Sequence, residues 1–446
     1  MTQQRVAALY FYCVFLLPCT IWAADSSRSK FAMISYGDVL QAGPQLSTRQ
    51  ATEKAFQLLR DRGFTTICWR LFAEGHPPDS YIWYSAEQQV EEYFRAKRDS
   101  ENTPYAWDPH EIRWPVEVAH RLGLKFYAWV VPYNEGAPPG SWAEHCYDYG
   151  LPNSVSDKTR SAMMLGCPSM PNIFTWGTIQ RTEFGYQSKF VHDHPEYQLV
   201  DREGKHYHYG NLEWAYPEAR EYWLNDVKLI LDKYDVDGIY MDTRTECMSP
   251  EHADKYGFNE PIVKEFQKRY GVNILEEDFD VEKWRALRGE YFTVFLTEVS
   301  KAIHAKGKTF CLGTSRGNYI GFPLGNMKLE WRTWISEKII DGLELEAHGW
   351  GWGKQGYGYL TDFATGRGLK PLEVSVREDY GPLCEKYGVK LYFAKGQNCF
   401  NRRRPLYMES AIGRAAPDGM VIAPGWCEKT AAMPEFSGTT EGAHLQ

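Results

Sequence analysis

Eight short apolar runs, rich in β-branched and aromatic residues, alternate with segments of helical period from residue 31 to about residue 425. The runs fall at 31–36, 65–71, 125–131, 238–241, 309–313, 342–346, 390–394 and 419–422. Helical spacing marks 48–62, 116–122, 217–234, 290–306 and 331–339. In 217–234, Pro217 suits a first helical turn, Glu218 and Glu221 complement its positive end, and Trp223, Leu224, Val227, Ile230 and Leu231 recur at helical spacing. Strand–helix alternation implies parallel strands joined by right-handed crossovers. Eight such units fit an α/β fold of the closed (β/α)8 TIM-barrel type. No GxGxxG follows the first run to favour a dinucleotide-binding sheet.

The connections are unequal. Those leading into strands are as short as Arg62-Gly63 or the three residues 122–124, 235–237 and 306–308. Those leaving strands include 72–108, 132–216 and 347–360. In a barrel all the long ones emerge on the C-terminal face, where active sites are built, so they wall one cleft. Length alone suggests about three domains for 446 residues, yet a single barrel with long loops uses them up. The expected division is a signal peptide at 1–24, the barrel over 25–427 and a loose tail at 428–446.

The leader rests on Arg5, an apolar run over 6–22 and the small pair Ala23-Ala24 ahead of polar residues. No second run approaches membrane-spanning length, so no stable membrane insertion is expected and the chain reads as secreted or periplasmic. A formal net charge of -8 argues against nucleic acid as a partner. Cys68 and Cys311 lie inside strand-like runs and read as buried thiols. Cys146 with Cys167 and Cys399 with Cys427 are possible loop bridges, and the absence of CxxC excludes a zinc ribbon. Nothing in the sequence fixes an oligomeric state.

The strongest local signal is Asp235-Val-Asp-Gly-Ile-Tyr-Met-Asp242-Thr-Arg244. A short strand ends in an acid at the barrel rim, and period-two alternation puts Tyr240, Asp242 and Arg244 on one face, with a cation near enough to hold the acid ionised. The sixth run ends similarly, Asp341-Gly-Leu-Glu344-Leu-Glu346-Ala-His348. Aligning the two Asp-Gly pairs puts Glu346 at the level of Asp242. Two carboxylates facing each other, one ionised and one protonated, are what glycosidic cleavage needs. Glu344 and Glu135 are the other acids open to the second role. Trp69, Arg70, Trp129, Tyr133, Asn134, Thr314, Ser315 and Arg316 are polar or aromatic supports at other strand ends, and His348 is placed to tune an acid or bind a hydroxyl.

Aromatic residues make 15% of the chain, including 16 Trp, and many fall on the rim connections: Trp142, Trp176, Trp350, Trp352, Tyr357, Tyr359 and Trp426. Sugar rings present apolar C–H faces that aromatic planes match. Ordinary loop packing accounts for part of the set. His192-Asp-His194 and His206-Tyr-His208 have HxH spacing, but they sit in a loop-like insertion with no HExxH helix and read as surface histidines. No P-loop or GxSxG is present, and no metal or cofactor is expected.

Taken together, the residues resemble the glycosyl-hydrolase-like 10 family of bacterial barrel glycosidases. The likeness is carried by Gly123-Leu-Lys-Phe-Tyr-Ala-Trp129, His194-Pro-Glu-Tyr197, Asn211-Leu-Glu-Trp-Ala-Tyr-Pro-Glu-Ala-Arg220 and, best of all, Tyr234-Asp-Val-Asp-Gly-Ile-Tyr-Met-Asp242. Tyr256-Gly-Phe-Asn-Glu-Pro261, Arg269-Tyr-Gly-Val-Asn273 and Trp284-Arg-Ala-Leu-Arg-Gly-Glu290 resemble a subgroup of large exported bacterial proteins. The family's fourth strand ends in Asp-Tyr-x-Arg-like text, where this chain has the shorter Asp242-Thr-Arg244. The resemblance implies sugar hydrolysis without fixing a substrate.

The expectation is therefore an exported glycoside hydrolase of an oligo- or polysaccharide. Asp242 would be nucleophile or base, Glu346 proton donor, and Arg244 and Tyr240 would orient Asp242. Glu344, His348, Trp129, Asn134, Trp350, Trp352 and Trp426 would contact substrate. The rival classes are a non-catalytic sugar-binding barrel, favoured if no second acid faces Asp242, and a metal-assisted hydrolase.

Overall fold

The computed structural model describes residues 29–34, 49–61, 63–71, 75–77, 80–83, 112–136, 186–243, 254–314, 317–320, 327–346, 361–362, 367–368, 374, 376–395 and 419–422. The barrel strands are β1 (Ser29–Ile34), β2 (Thr66–Arg70), β3 (Lys125–Val130), β4 (Gly238–Asp242), β5 (Thr309–Thr314), β6 (Gly342–Glu346), β7 (Lys390–Lys395) and β8 (Gly419–Ile422). They form a closed ring in chain order, every pair parallel, with β8 returning to β1 through Ser29↔Gly419 and Ala32↔Ile422. All eight expected runs are strands, each end within two residues of its sequence reading. The fourth runs one residue further and takes in Asp242. No described helix is long and apolar enough to cross a membrane.

The helices are α1 (Arg49–Asp61), α2 (Arg113–Arg121), α3 (Pro217–Lys233), α4 (Glu260–Tyr270), α5 (Val281–Ala305), α6 (Trp331–Ser336) and α7 (Gly381–Tyr387). Helices α4 and α7 went unread, and three others depart from the sequence reading, each for a local reason. Helix α2 begins three residues early because Pro115 sits in its first turn, where no amide donor is needed. Helix α5 begins nine residues early, at the Asp280 cap, whose carboxylate accepts from the Glu282 and Lys283 amides at 3.0 and 3.3 Å. Its extra turns bury Trp284 and Leu287 against Phe258, Ile262 and Phe266, a satellite core apart from the barrel wall. That core also needs α4, which went unread; it ends at Gly271 in the left-handed conformation, φ 73°. Helix α6 stops short of 339 because Lys338 turns left-handed at φ 53° and the Ile339 amide folds back to the Trp334 carbonyl at 2.9 Å.

The main core lies between the outer strand faces and the helices. Ile67, Trp69, Phe126, Ile239, Phe310, Leu312, Leu343 and Leu345 meet Phe56, Trp223, Phe295 and Trp334 there. The inner faces fill the barrel in layers of four from alternate strands. Register shows how they stack, because crossing two strands lifts the level by two residues. Phe31, Tyr127, Cys311 and Tyr392 share one layer, and Phe31 meets the rings of Tyr127 and Tyr392 edge-on at 5.2 and 4.9 Å. Glycine alternates with these large rings. A Cβ on Gly238 would sit 2.9 Å from the Tyr127 ring, and one on Gly342 would sit 2.8 Å from the Tyr392 ring. The lower barrel is thus a packed plug, and only its upper end is left for chemistry.

Candidate active site

The next layer up is formed by Cys68, Tyr240 and Glu344. Contact supports the register, since the Tyr240 hydroxyl donates to Glu344 Oε2 at 2.8 Å. This bond passes directly over Gly313, where an added Cβ would overlap the Tyr240 hydroxyl and lie 2.7 Å from Glu344 Oε2. Glu344 is fully buried. Burial pushes the neighbouring Cys311 thiol well up, and the Glu344 charge adds to that, so Cys311 stays protonated. Cys68, Cys311 and Cys384 are buried thiols, and the chain's other cysteines lie outside the described residues.

Above this floor come Met33, Trp129 and Gly313, and above them Arg70 and Asp242, the last inward-facing residues of β2 and β4, while Glu346 is the last residue of β6. Asp242 is buried, at 3% exposure, as is Arg70 at 2%. The Arg70 guanidinium lies 5.5 Å from the Trp129 ring centroid, and Trp129 meets Tyr240 edge-on at 5.8 Å. The β6 backbone carries Glu346 two residues beyond Glu344, as β4 carries Asp242 two beyond Tyr240. The register therefore sets residues 242 and 346 at one level. Arg244, His348, Trp350, Trp352 and Trp426 lie outside the described residues, as do Trp142, Trp176, Tyr357 and Tyr359.

At the end of β3 lie Asn134, an expected sugar contact, and Glu135, one of the acids open to the second role. Asn134 is fully buried. Glu135, also fully buried, accepts from the Trp223 indole at 2.5 Å, and its Oε1 lies 3.2 Å from His76 Nε2. The other ring nitrogen of His76 is bonded to Asp226 of α3 and lies 3.0 Å from the Tyr222 hydroxyl. Burial alone would lower the imidazole pKa, but the charges of Glu135 and Asp226 outweigh it and push it up to about 10. His76 is thus a buried cation between two carboxylates, and Glu135 is engaged with it and with α3.

Sequence reasoning missed His76 and Asp226. The available signal was Asp226 itself, a charge between Trp223 and Ile230 on the apolar stripe of α3. Glu213 and Arg288 were missed as well. They face each other at 3.6 Å with both side chains 3% exposed, and burial raises the Glu213 pKa against the pull of Arg288. The backbone of Gly257, at φ 109°, lies flat on that guanidinium, where any Cβ would collide.

The histidine pairs divide. His192, His194 and His206 are exposed, the first two beside Asp193 and Glu196 at 2.8 and 3.3 Å. His208 is buried against Asn211 and the edge of Tyr256 and is not a surface histidine: its hairpin, Gln198–Val200 with Tyr207–Leu212, turns that side chain inward. Among the described residues, no three His, Cys, Asp or Glu side chains are grouped to hold a metal ion.

An acid and a guanidinium at one level, above a floor locked by a buried hydroxyl–carboxylate bond, form a small polar patch at the open end of an otherwise apolar barrel. Comparisons with known proteins accord with such a barrel. The glycoside hydrolase domain of PgaB (BpsB) from Bordetella bronchiseptica aligns over 94% of this chain and 99% of its own, with TM-score 0.50 and 10% identity. The catalytic domain of a β-amylase from Paenibacillus polymyxa aligns over 89% and 92%, with TM-score 0.49 and 9% identity. At 10% identity the likeness to the PgaB domain is one of fold. No curated protein matches the chain in sequence. Residues 172–349, the stretch that carries β4, β5 and β6 and with them Asp242, Glu344 and Glu346, match the family model of glycosyl hydrolase-like 10.

Proposed function

We propose that the protein is an exported glycoside hydrolase that cleaves O-glycosidic bonds of an oligo- or polysaccharide with two carboxylates at the barrel mouth. The observation that supports it is the uppermost inward layer, in which β4 and β6 bring Asp242 and Glu346 to one level at the C-terminal end of the strands. Glu346 gives its proton to the glycosidic oxygen as the bond breaks. Asp242, ionised, either attacks the anomeric carbon or takes a proton from the attacking water. A carboxyl separation of about 5–5.5 Å corresponds to the first route and about 6.5–9.5 Å to the second.

Tyr240 and Glu344 act from below, because their mutual bond fixes the floor on which the acid layer rests. Arg244 orients Asp242, and His348, Asn134 and the aromatic faces of Trp129, Trp350, Trp352 and Trp426 take the sugar. The leader at 1–24 directs export. The match to a glycosyl hydrolase-like family over the strands that carry both acids favours hydrolysis over a sugar-binding barrel.

A panel of purified polysaccharides incubated with the wild type and Asp242→Asn tests the reading. Release of reducing ends by the wild type, reduced about 10²–10⁴-fold in the variant, is the expected outcome. Equal release by the two proteins would sink it.

A further inference from the structure

We infer that Arg70 is the positioning cation of the acid layer, holding the carboxylate pair of β4 and β6 at one proton where two would otherwise bind. The inference rests on the proposed hydrolytic reading and adds a residue to it. Thr66, Cys68 and Arg70 alternate on the inner face of β2, and Cys68 packs in the barrel interior with Tyr127, Trp129 and Tyr240. Register then sets Arg70 level with Asp242, as it sets Tyr240 level with Glu344, and the Tyr240–Glu344 bond shows that this offset holds.

A guanidinium at 2% exposure keeps its charge, because its pKa is too high for burial to neutralise it, and a buried charge needs anions around it. Among the described side chains the acid at its level is Asp242, and the proposed reading adds Glu346. From β3 it faces Trp129, from β4 Asp242 and Tyr240, and from β5 Gly313 with Cys311 two layers below. From β6, Glu344 lies two layers down. Glu344 accepts the Tyr240 hydroxyl, and Cys311 stays protonated. His76 and Glu135, beyond the ends of β2 and β3, are paired with each other and with α3.

Two carboxyls at one level repel each other when both ionise, and burial favours both protons staying on. That state has an acid but no base. A fixed cation in the layer draws off the first proton and leaves the second, which is the pairing that glycosidic cleavage requires. The stereochemical route does not alter this role.

The test uses the full chain labelled with ¹³C at the aspartate carboxyls. The Asp242 signal is assigned by its loss in Asp242→Asn and followed from pH 3 to 9 in wild type, Arg70→Met and Arg70→Lys. The proposal predicts that Arg70→Met moves the midpoint up by about one pH unit or more, while Arg70→Lys stays near the wild type. On a substrate found by the polysaccharide panel, the acid limb of kcat/KM moves by the same amount in the same direction. If Arg70→Met does not fold, Arg70→Gln replaces it, with melting temperature checked first. An unchanged midpoint in a folded, charge-removing variant overturns the role of Arg70 and leaves hydrolysis standing. Full activity of Asp242→Asn overturns the hydrolytic reading itself.

Discussion

Gly313 shows how much a single atom matters in this barrel. Its missing Cβ is the space through which the Tyr240 hydroxyl reaches Glu344. Gly313→Ala should lower stability by about 1–3 kcal/mol, the ordinary cost of overpacking, read as a lower urea midpoint at unchanged slope. A midpoint equal to the wild type would show that the two side chains are not locked over this glycine. Tyr240→Phe removes the donor and leaves a buried carboxylate oxygen without it, at a cost of about 1–3 kcal/mol in the same measurement.

At this scale the strand-end positions of Asp242 and Glu346 were legible because strand ends are local properties of the sequence. The His76–Asp226 contact was not, since its partners are 150 residues apart and meet only once the barrel closes. Arg70 was visible as a strand-end cation, but its level with Asp242 follows from register, which no single strand encodes. Glu135 looked like a rim acid for the same reason: the strand shows where it leaves the sheet, not which helix it meets.

Among the elements, strands were easier to read than helices. Each strand is an apolar run closed by turn residues, and among the described side chains both faces are largely buried, so the signal is concentrated in four to six residues. Helices α4 and the first half of α5 bury their apolar faces against each other, away from the barrel, and the strand–helix rhythm does not announce them. The Asp280 cap is the local mark of that extension. Asp280→Ala should cost about 1 kcal/mol by removing the acceptor of two orphan amides. Thermal unfolding of the variant checks this, and an unchanged melting temperature would mean the extra turns draw nothing from the cap.

Helix α3 carries a second element-scale consequence, because Asp226 joins it through His76 to the chain beyond β2 and through Glu135 to the end of β3. The folded-state pKa of His76, raised from 6.5 to about 10, means that the ion cluster stabilises fully below about 6.5 and is lost as pH rises through about 10. The melting temperature should therefore fall between pH 7 and 10, and His76→Gln should flatten that fall. The same pH slope in both proteins would show that His76 carries no buried charge.

For the whole molecule, eight strands between Ser29 and Ile422 close one barrel, and the chain leaves β2 and β4 at the end that holds Arg70 and Asp242. The aromatic excess divides in two. Trp69, Trp114, Trp129, Trp214, Trp223, Trp284, Trp331 and Trp334 are all buried, so half of the 16 tryptophans serve packing. Of the buried set, Trp129 is also a proposed sugar contact; the other proposed contacts, Trp350, Trp352 and Trp426, follow the strands in the sequence.

The central claim is that the acids of β4 and β6 divide the work of glycosidic cleavage, and leaving-group dependence tests it most directly. The measurement compares turnover of the natural glycan, once identified by the panel, with that of a dinitrophenyl glycoside of the same sugar, in wild type, Asp242→Asn and Glu346→Gln. Dinitrophenolate leaves without a proton. Glu346→Gln should therefore lose about 10²-fold or more on the glycan and little on the aryl glycoside, while Asp242→Asn loses both. Equal losses on both substrates in Glu346→Gln, or retained turnover in Asp242→Asn, would contradict the assignment.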